Sequence, residues 1–295
     1  MTSGAVVIDK PRDWTSHDVV AKLRGIFGQK KIGHTGTLDP MATGVLVVLL
    51  GRATRASELL EADEKEYIAS LRLGLVTNTQ DTTGEVLSEN PVEVSRENLE
   101  AALRHFTGSL EQLPPMYSAI KVNGKKLYEL ARKGQEAERK TRSITIYALD
   151  LLSFDGKEAV LRVVCSKGTY IRTLCHDIGA FLGCGGCMSA LRRSRAGAFS
   201  LDRAVTLEQL QAAKEDGSLL SMVHKTDALF SQYPALLLSG EQAEKCRCGV
   251  RIPLPENAPD GLLRVYGPGE EFLLLGRGED GRLITVKSFF EVNQG

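Results

Sequence analysis

Apolar and polar positions recur along the chain with two periods, which together predict a mixture of strands and helices. Residues 45–50 are uninterruptedly apolar and have strand length, which is typical of a strand buried on both faces. Residues 66–73 alternate instead, which indicates a strand with one buried face. Further strands are predicted at 5–8, 144–154 and 159–165, and helices over 17–27 (capped by Ser16), near 54–62, from the cap Ser95 to Gly108, over 171–182 and from the cap Thr206 to Ala213.

Two stretches break this alternation and suggest how the chain is organised. Residues 109–142 are basic, marked by Pro and Gly, and poorly periodic, as expected of a surface insertion. After Tyr233-Pro234 the pattern changes to short strands near 236–238, 262–266, 272–275 and 283–286, separated by glycines. We therefore expect an α/β (α+β) domain over 1–230 that carries the insertion, followed by a small β-rich domain over 234–293.

Composition adds the charge distribution to this picture. The chain has 295 residues, 42% of them hydrophobic, and a net charge of zero, which suits an ordinary core. No apolar run approaches the roughly 20 residues that span a bilayer, and the start lacks the features of a secretion signal. The stretch 121–142 has eight Lys or Arg against three acidic residues. Two further basic groups are Lys22, Arg24, Lys30 and Lys31, and Arg192, Arg193 and Arg195. Together with residues 121–142, they predict a phosphate-binding face.

The richest chemistry lies just before the apolar run, in Gly33-His34-Thr35-Gly36-Thr37-Leu38-Asp39-Pro40-Met41-Ala42-Thr43-Gly44. Asp39 stands in a loop dense with Gly, Thr and Pro, and the buried strand behind it provides a rigid support. A carboxylate held in this way could be a nucleophile, a general base or a metal ligand, and Asp-Pro is also common in simple turns. The residues alone leave these alternatives open.

The six cysteines do not form a dense disulfide framework for a chain of this size. Cys184 and Cys187, with Cys175 and His176 upstream, could be read as zinc ligands, but there is no second CxxC. We therefore expect reduced thiols, as in cytosolic proteins, and no metal. No P-loop is present, and no cofactor is expected.

The Asp39 segment resembles the active-site signature of the TruB family of tRNA pseudouridine synthases. Further blocks in family order, each similar to a family motif, extend the resemblance over about 4–230: Ile8-Asp9-Lys10-Pro11, Lys65-Glu66-Tyr67, Leu113-Pro114-Pro115-Met116-Tyr117-Ser118-Ala119-Ile120-Lys121, Gly124-Lys125-Lys126-Leu127-Tyr128, Ser166-Lys167-Gly168-Thr169-Tyr170-Ile171-Arg172 and Ala190-Leu191-Arg192-Arg193. The resemblance implies the pseudouridine synthase fold, a central mainly antiparallel mixed sheet flanked by helices. At the C-terminal end it implies, more loosely, a PUA-like RNA-binding domain.

The same resemblance assigns roles to individual residues. It implies that Asp39 is the nucleophile, that Arg172 pairs with it, lowers its pKa and orients it, and that Tyr67 stacks on a flipped uracil and can move a proton. His34 would fill the space left by the base, or simply anchor its loop, and Tyr170 and Leu191 would contact substrate. Lys10 and Pro11 would support the Asp39 loop.

The implied reaction is conversion of the T-loop uridine of tRNA, position 55 in tRNA numbering, to pseudouridine without a cofactor. The implied partner is the tRNA T-arm, and we expect a cytoplasmic monomer. Attack at C6 of the uracil and attack at C1′ both remain open.

Two departures from the family pattern put local loop geometry in doubt. Asn78 stands where the family commonly has Asp, although Asp81 and Gly84 of the same segment are retained, and Asp13 stands where the family usually has Gly. Two other functions also remain. A non-catalytic tRNA-binding or folding protein is the main alternative. A carboxylate-based glycosidase or nucleoside hydrolase is the other, but the sequence offers no convincing second acid for Asp39.

Overall fold

The computed structural model describes residues 1–60, 64–122, 124–255 and 258–290. The helices are α1 (Ser16–Phe27), α2 (Ser57–Leu60), α3 (Arg96–His105), α4 (Leu127–Ala131), α5 (Ile171–Phe181), α6 (Leu207–Glu215) and α7 (Gly240–Arg247). The strands are β1 (Gly4–Lys10), β2 (Ile32–His34), β3 (Thr43–Leu50), β4 (Lys65–Leu73), β5 (Leu75–Thr77), β6 (Val86–Glu89), β7 (Gly108–Gln112), β8 (Lys121–Val122), β9 (Lys125–Lys126), β10 (Arg142–Phe154), β11 (Glu158–Cys165), β12 (Gly186–Ala196), β13 (Phe199–Ser200), β14 (Ala235–Leu237), β15 (Ile252–Pro253), β16 (Gly261–Tyr266), β17 (Phe272–Glu279) and β18 (Arg282–Ser288).

A central sheet organises the first 230 residues. Its strands follow the order β1-β3-β12-β4-β11-β10-β7, with β2 paired to β3 and β13 to β12. β3 and β12 run parallel, whereas the other neighbours in this order run antiparallel. The expected mixed, mainly antiparallel sheet with flanking helices is therefore confirmed.

The apolar run of β3 is explained by burial on both of its faces. Leu46, Val48 and Leu50 pack into the core beneath α1, and Val45, Val47 and Leu49 pack into a second core on the other face. Because neighbouring side chains of a strand point to opposite faces, a strand covered on both sides is apolar throughout. Both faces of the strand next to the Asp39 loop are thus held by packing.

β12 is the central element that the periodicity did not predict. It lies between β3 and β4, yet residues 186–196 include three arginines and two serines, a composition typical of exposed chain. Its alternation is interrupted by register shifts between Met188 and Ala190 and between Arg193 and Arg195. These irregularities hide the period of two on which strand prediction depends.

Helix caps follow the predictions with one correction. Ser95 and Thr206 cap α3 and α6 as predicted. Ser16 was predicted to cap α1, but the cap is Thr15, whose side chain accepts a hydrogen bond from the backbone N–H of Asp18. Ser16 is buried instead, and its hydroxyl bonds Leu38. The helix predicted near 54–62 is α2, preceded by a 3₁₀ turn over 51–56; residues 61–63 lie outside the described residues.

The segment expected to be an insertion begins with a strand of the central sheet. Residues 108–112 form β7, which pairs with β10. Between β7 and β10 the chain forms the short β8–β9 hairpin and α4, where Leu127 is buried. The residues that leave the sheet are therefore 113–141.

The C-terminal residues form a second sheet in the order β14-β16-β17-β18-β15, with the unpredicted α7 between β14 and β15. Its own core contains Leu263, Val265 and Leu274, among others. Leu275 and Phe289 pack against the second core of the central sheet. The expected β-rich C-terminal domain is confirmed, although residues 291–293 of its predicted range lie outside the described residues. No helix in the described part of the chain has the length and apolarity needed to cross a membrane.

Candidate active site

The Asp39 loop connects β2 to β3 and is fixed at several points by backbone hydrogen bonds. The N–H of Leu38 donates to the Ser16 hydroxyl at 2.9 Å, and the N–H of Ala42 donates to the carbonyl of Asp39 at 3.0 Å. The N–H of Thr35 donates to Val47 at 3.1 Å, which joins the loop to β3. Asp39 is therefore held on a stiff support, as its sequence context predicts.

Lys10 anchors the same loop from β1. Its side chain is buried, and its Nζ donates to the carbonyls of Pro11 (2.8 Å), Trp14 (2.6 Å) and Pro40 (3.2 Å). Burial lowers the pKa of Lys10 to about 8, although Asp13 and Asp39 oppose this shift. The Lys-Pro segment thus fastens the N-terminal strand to the residue that follows Asp39.

Asp13, one of the departures from the family pattern, adopts the backbone conformation that favours glycine. Its φ is +65°, in the left-handed region that Asp and Asn enter more readily than most residues. Its N–H donates to the carbonyl of Pro40 at 2.8 Å. The loop geometry is therefore kept with Asp at this position, at some cost in backbone strain.

Asp39 and Arg172 form the expected ion pair. Arg172 lies in the first turn of α5 and is buried, with 8% of its side chain exposed. Its Nε lies 3.0 Å from Asp39 Oδ2, and its Nη2 donates to Asp39 Oδ1 at 3.4 Å. The two contacts approach the fork geometry that orients a carboxylate. The Asp39 side chain keeps 37% of its surface exposed and is therefore open to a substrate.

Asp81 is a member of the site to which the sequence gave no role. Its carboxylate is buried, 5% exposed, and lies 3.4 Å from Arg172 Nη1. Thr79 and the backbone and hydroxyl of Thr83 donate to its Oδ1. Arg172 is thus held between two carboxylates, while its Nη2 also donates to the carbonyl of Tyr117 at 3.0 Å.

Asn78, the second departure, lies in the turn that carries Asp81. Its side chain accepts from the backbone N–H of Glu85 at 3.0 Å, and Gly84 packs so closely that an added Cβ would lie 2.4 Å from Asn78 Oδ1. The turn that presents Asp81 to Arg172 is therefore intact with Asn at position 78.

The pKa of the Asp39 carboxyl is set by opposing effects, of which burial is the largest. Burial raises the pKa of the Asp39 carboxyl; the Arg172 cation lowers it, and the negative charge of Asp81 raises it. Arg172 thus lowers the pKa as expected, but burial outweighs this effect and the net direction is upward. Arg172 therefore offsets part of the desolvation cost of the carboxylate rather than making it unusually acidic.

Tyr67 and Leu191 lie side by side on the sheet. Tyr67 is on β4 directly opposite Arg193 of β12, and Leu191 is opposite Ala69. Tyr67 is 7% exposed and Leu191 is 8% exposed. Burial raises the pKa of the Tyr67 phenol, Arg193 opposes this shift, and Asp39 adds weakly to it. Arg193, the partner of Tyr67, also donates to a carbonyl of the Asp39 loop, which places Tyr67 beside the loop that carries Asp39.

His34 ends β2 and is half-buried, five residues before Asp39. Its ring meets the ring of His17 edge to face, with centroids 5.5 Å apart. Burial, together with the smaller effects of His17 and Arg193, lowers the pKa of His34 to about 4. The imidazole is therefore neutral at neutral pH.

Tyr170 is held in place by a glutamine that sequence reasoning missed. It immediately precedes α5, and its backbone exchanges two hydrogen bonds with the buried side chain of Gln112, at 2.8 and 3.0 Å. The Arg142 guanidinium lies 6.0 Å from the centre of its ring. Gln112 thus couples β7 to the helix that carries Arg172. No sequence signal pointed to Gln112, which lies in the range predicted to be a surface insertion.

The basic groups differ in their exposure. Lys121, Lys125, Arg132, Lys133 and Lys140 are exposed, as are Lys22, Arg24, Lys30 and Lys31. The third group does not form the expected phosphate-binding cluster. Arg192 pairs with Asp9 at 2.8 Å, Arg195 pairs with Glu64 at 2.6 Å, and Arg193 is buried.

Two other features lie apart from Asp39. Within the described ranges, no three His, Cys, Asp or Glu side chains come together as a metal-binding group, and Cys184 and Cys187 are buried free thiols. A cavity of about 530 Å³ lies at the C-terminal sheet, lined by residues that include Asp227, Tyr266 and Phe289 and by none of the predicted site residues.

Comparison with known proteins identifies the class of enzyme. The TruB family pseudouridylate synthase (N terminal domain) profile matches residues 24–171, and the tRNA pseudouridylate synthase B C-terminal domain profile matches residues 172–231. The chain therefore belongs to the TruB family of pseudouridine synthases, which are isomerases.

Individual relatives cover nearly all of the chain. It is 50% identical over 272 residues to tRNA pseudouridine synthase B of Ralstonia pickettii, covering 90% of this chain and 84% of the relative. It is 42% identical over 290 residues to tRNA pseudouridine synthase B of Clostridium kluyveri, covering 97% and 99%. Among solved structures, a Cbf5-Nop10-Gar1 complex matches with a TM-score of 0.75 and 28% identity, covering 97% of this chain and 85% of the other.

Proposed function

We propose that this enzyme converts the T-loop uridine of tRNA, position 55 in tRNA numbering, to pseudouridine, with Asp39 as the nucleophile. The observation that carries this proposal is the Asp39–Arg172 pair: a partly exposed carboxylate held by a buried guanidinium, on a loop fastened to β1 and β3. The tRNA substrate is the one named for relatives up to 50% identical to this chain.

The reaction is an isomerisation in which every atom of the uridine is retained. The bond from C1′ to N1 breaks, a bond from C1′ to C5 forms, the proton on C5 leaves and N1 gains a proton. Since nothing is oxidised or lost, we propose that neither a cofactor nor a metal is needed. Asp39 adds either to C6 of the uracil or to C1′ as the glycosidic bond breaks; the second route resembles the carboxylate's work in retaining glycosidases.

The target uracil is stacked within a folded loop, so it must be flipped out before Asp39 can reach it. Tyr67 is proposed as the ring on which the flipped base stacks, a contact typically worth about 1–3 kcal/mol. The neutral His34 is proposed to fill the space that the base leaves. Tyr170 and Leu191 are proposed to line the pocket.

For tRNA binding, we propose the exposed basic residues of the insertion (109–142) together with the C-terminal domain (234–293) as a PUA-like module. Phosphate contacts of this kind position an RNA without reading its sequence. We propose that a monomer suffices, because the RNA contacts come from one chain, and that the enzyme acts in the cytoplasm on newly made tRNA.

Release of tritium from tRNA labelled at C5 of uridine tests the role of Asp39, because the C5 proton leaves during the reaction. The wild type should release one tritium per T-loop uridine, and Asp39→Asn should release none above background. A matched tRNA with cytidine at the T-loop position controls for other sites. Full release by Asp39→Asn would exclude Asp39 as the nucleophile.

The alternative of a protein that only binds or refolds tRNA is distinguished by the same variant. Asp39→Asn is expected to bind tRNA with an affinity close to that of the wild type, because its carboxylate is one small part of a large basic surface. Loss of reaction with binding retained supports catalysis. A wild type that binds tightly without releasing tritium would favour the binding role.

A further inference from the structure

Arg193 lies at the centre of the molecule, where a charged side chain is unusual. Only 1% of its surface is exposed. Its Nε donates to the carbonyl of Val45 on β3 at 2.7 Å, and its Nη2 donates to the carbonyl of Gly36 at 3.1 Å. Gly36 belongs to the loop that carries Asp39. One buried guanidinium therefore joins β12, β3 and the Asp39 loop, and a buried cation of this kind requires such partners.

The same side chain faces Tyr67. Arg193 and Tyr67 are direct partners on the antiparallel strands β12 and β4, and side chains in this relation share one face of the sheet at about 4.5–5.5 Å between Cβ atoms. Burial raises the pKa of Tyr67, and the Arg193 charge opposes this shift in part. Arg193 thus bonds the loop that carries Asp39 and lies opposite Tyr67, the two residues assigned to the reaction.

The neighbouring backbone is shaped to bring Arg193 close. Gly44 of β3 pairs with Arg193, and its φ is +98°. A Cβ added at Gly44 would lie 2.2 Å from the Arg193 carbonyl oxygen. Only glycine therefore lets β12 approach β3 closely enough for the guanidinium to reach the loop.

We propose that Arg193 is a positioning residue for pseudouridine formation, which locks the Asp39 loop and the Tyr67 ring into one geometry without touching the RNA. This inference rests on the proposed roles of Asp39 and Tyr67. It replaces the expectation that Arg193 binds phosphate. A misplacement of about 1 Å between reacting groups is enough to slow a reaction by about a hundredfold.

The test compares Arg193→Met, Arg193→Lys and the control Arg162→Met under single-turnover conditions, with the dissociation constant for tRNA and the melting temperature measured for each. Arg162 lies on β11 of the same sheet and forms ion pairs with Glu66 and Asp150 at the surface. For Arg193→Met we expect a rate about a hundredfold below wild type, with tRNA affinity changed less than about threefold. The rate of Arg193→Lys should lie between those of the wild type and Arg193→Met, because lysine keeps the charge but lacks the forked guanidinium donors. Arg162→Met should react at the wild-type rate.

A folded Arg193→Met protein that reacts within about threefold of wild type, or that loses only tRNA affinity, would overturn the inference. If Arg193→Met does not fold, Arg193→Lys decides: a rate about tenfold below wild type at unchanged affinity supports the positioning role, and the wild-type rate overturns it. These outcomes differ from failure of the proposed function, in which the wild type itself would form no pseudouridine.

Discussion

Replacement of Asp81 by Asn tests whether Arg172 depends on both of its carboxylates. The amide can keep the three hydrogen bonds that Thr79 and Thr83 donate to Oδ1, but it places an N–H group against Arg172 Nη1, where Oδ2 now lies at 3.4 Å. The loss of a hydrogen bond to a charged partner typically costs about 1–3 kcal/mol. If this loss destabilises the transition state relative to the bound substrate, the rate decreases about five- to hundredfold.

The same change has a second effect, of opposite sign, on the pH dependence. The negative charge of Asp81 is one of the causes that raise the pKa of Asp39. Its removal lowers that pKa, so Asp39 stays ionised to lower pH. The acid limb of the rate profile should therefore move to lower pH in Asp81→Asn, although the plateau rate falls.

The assay is single-turnover pseudouridine formation from mildly acid to neutral pH, with Asp150→Asn as control. Asp150 is 55% exposed and pairs with Arg162 at the surface, where such pairs contribute at most about 1 kcal/mol. We expect the control to retain the wild-type profile. An unchanged plateau in Asp81→Asn, or an acid limb moved to higher pH, would refute the reasoning.

Three further predictions concern stability and binding. Asp13→Gly should raise the free energy of unfolding by up to about 1 kcal/mol, because φ is +65° there, whereas Asp13→Ala should lower it; chemical denaturation that ranks Ala above Gly would contradict this. Gly44→Ala should lower the free energy of unfolding by about 2–5 kcal/mol, because its Cβ would overlap the Arg193 backbone. Thermal melting should show a much smaller loss of stability for the control Gly28→Ala, whose added Cβ meets nothing within 4 Å. Lys125→Ala should weaken tRNA binding and reduce the slope of log affinity against log salt by about one; an unchanged slope would place Lys125 outside the RNA interface.

Local signals predicted much of the fold, because they depend on neighbouring residues. The alternation in β4 and the caps Ser95 and Thr206 are visible in short windows. The wrong cap at Ser16 arose because a local pattern does not show contacts with distant residues. The Ser16 hydroxyl is engaged by Leu38, 22 residues away, and the adjacent Thr15 takes over the cap.

The candidate site was only partly predictable, because its electrostatics depend on contacts between distant segments. Asp39 and Arg172 are 133 residues apart and were matched only through the family resemblance. Asp81 was visible only as a retained position of the family pattern, since its importance arises from burial beside Arg172. Arg193 looked like surface charge until β12 was found at the centre of the sheet, where two backbone carbonyls and Tyr67 surround it. Periodicity does not report such contacts.

The central claim is that Asp39 carries out isomerisation at one uridine of tRNA. The most direct test is mass-spectrometric mapping of unmodified tRNA after incubation with the pure, metal-free protein, with chemistry that labels pseudouridine selectively because the product has the same mass as uridine. The account predicts pseudouridine at the T-loop uridine alone with the wild type, and none with Asp39→Asn. Pseudouridine at that position with Asp39→Asn, or its absence with a wild type that binds tRNA tightly, would contradict it.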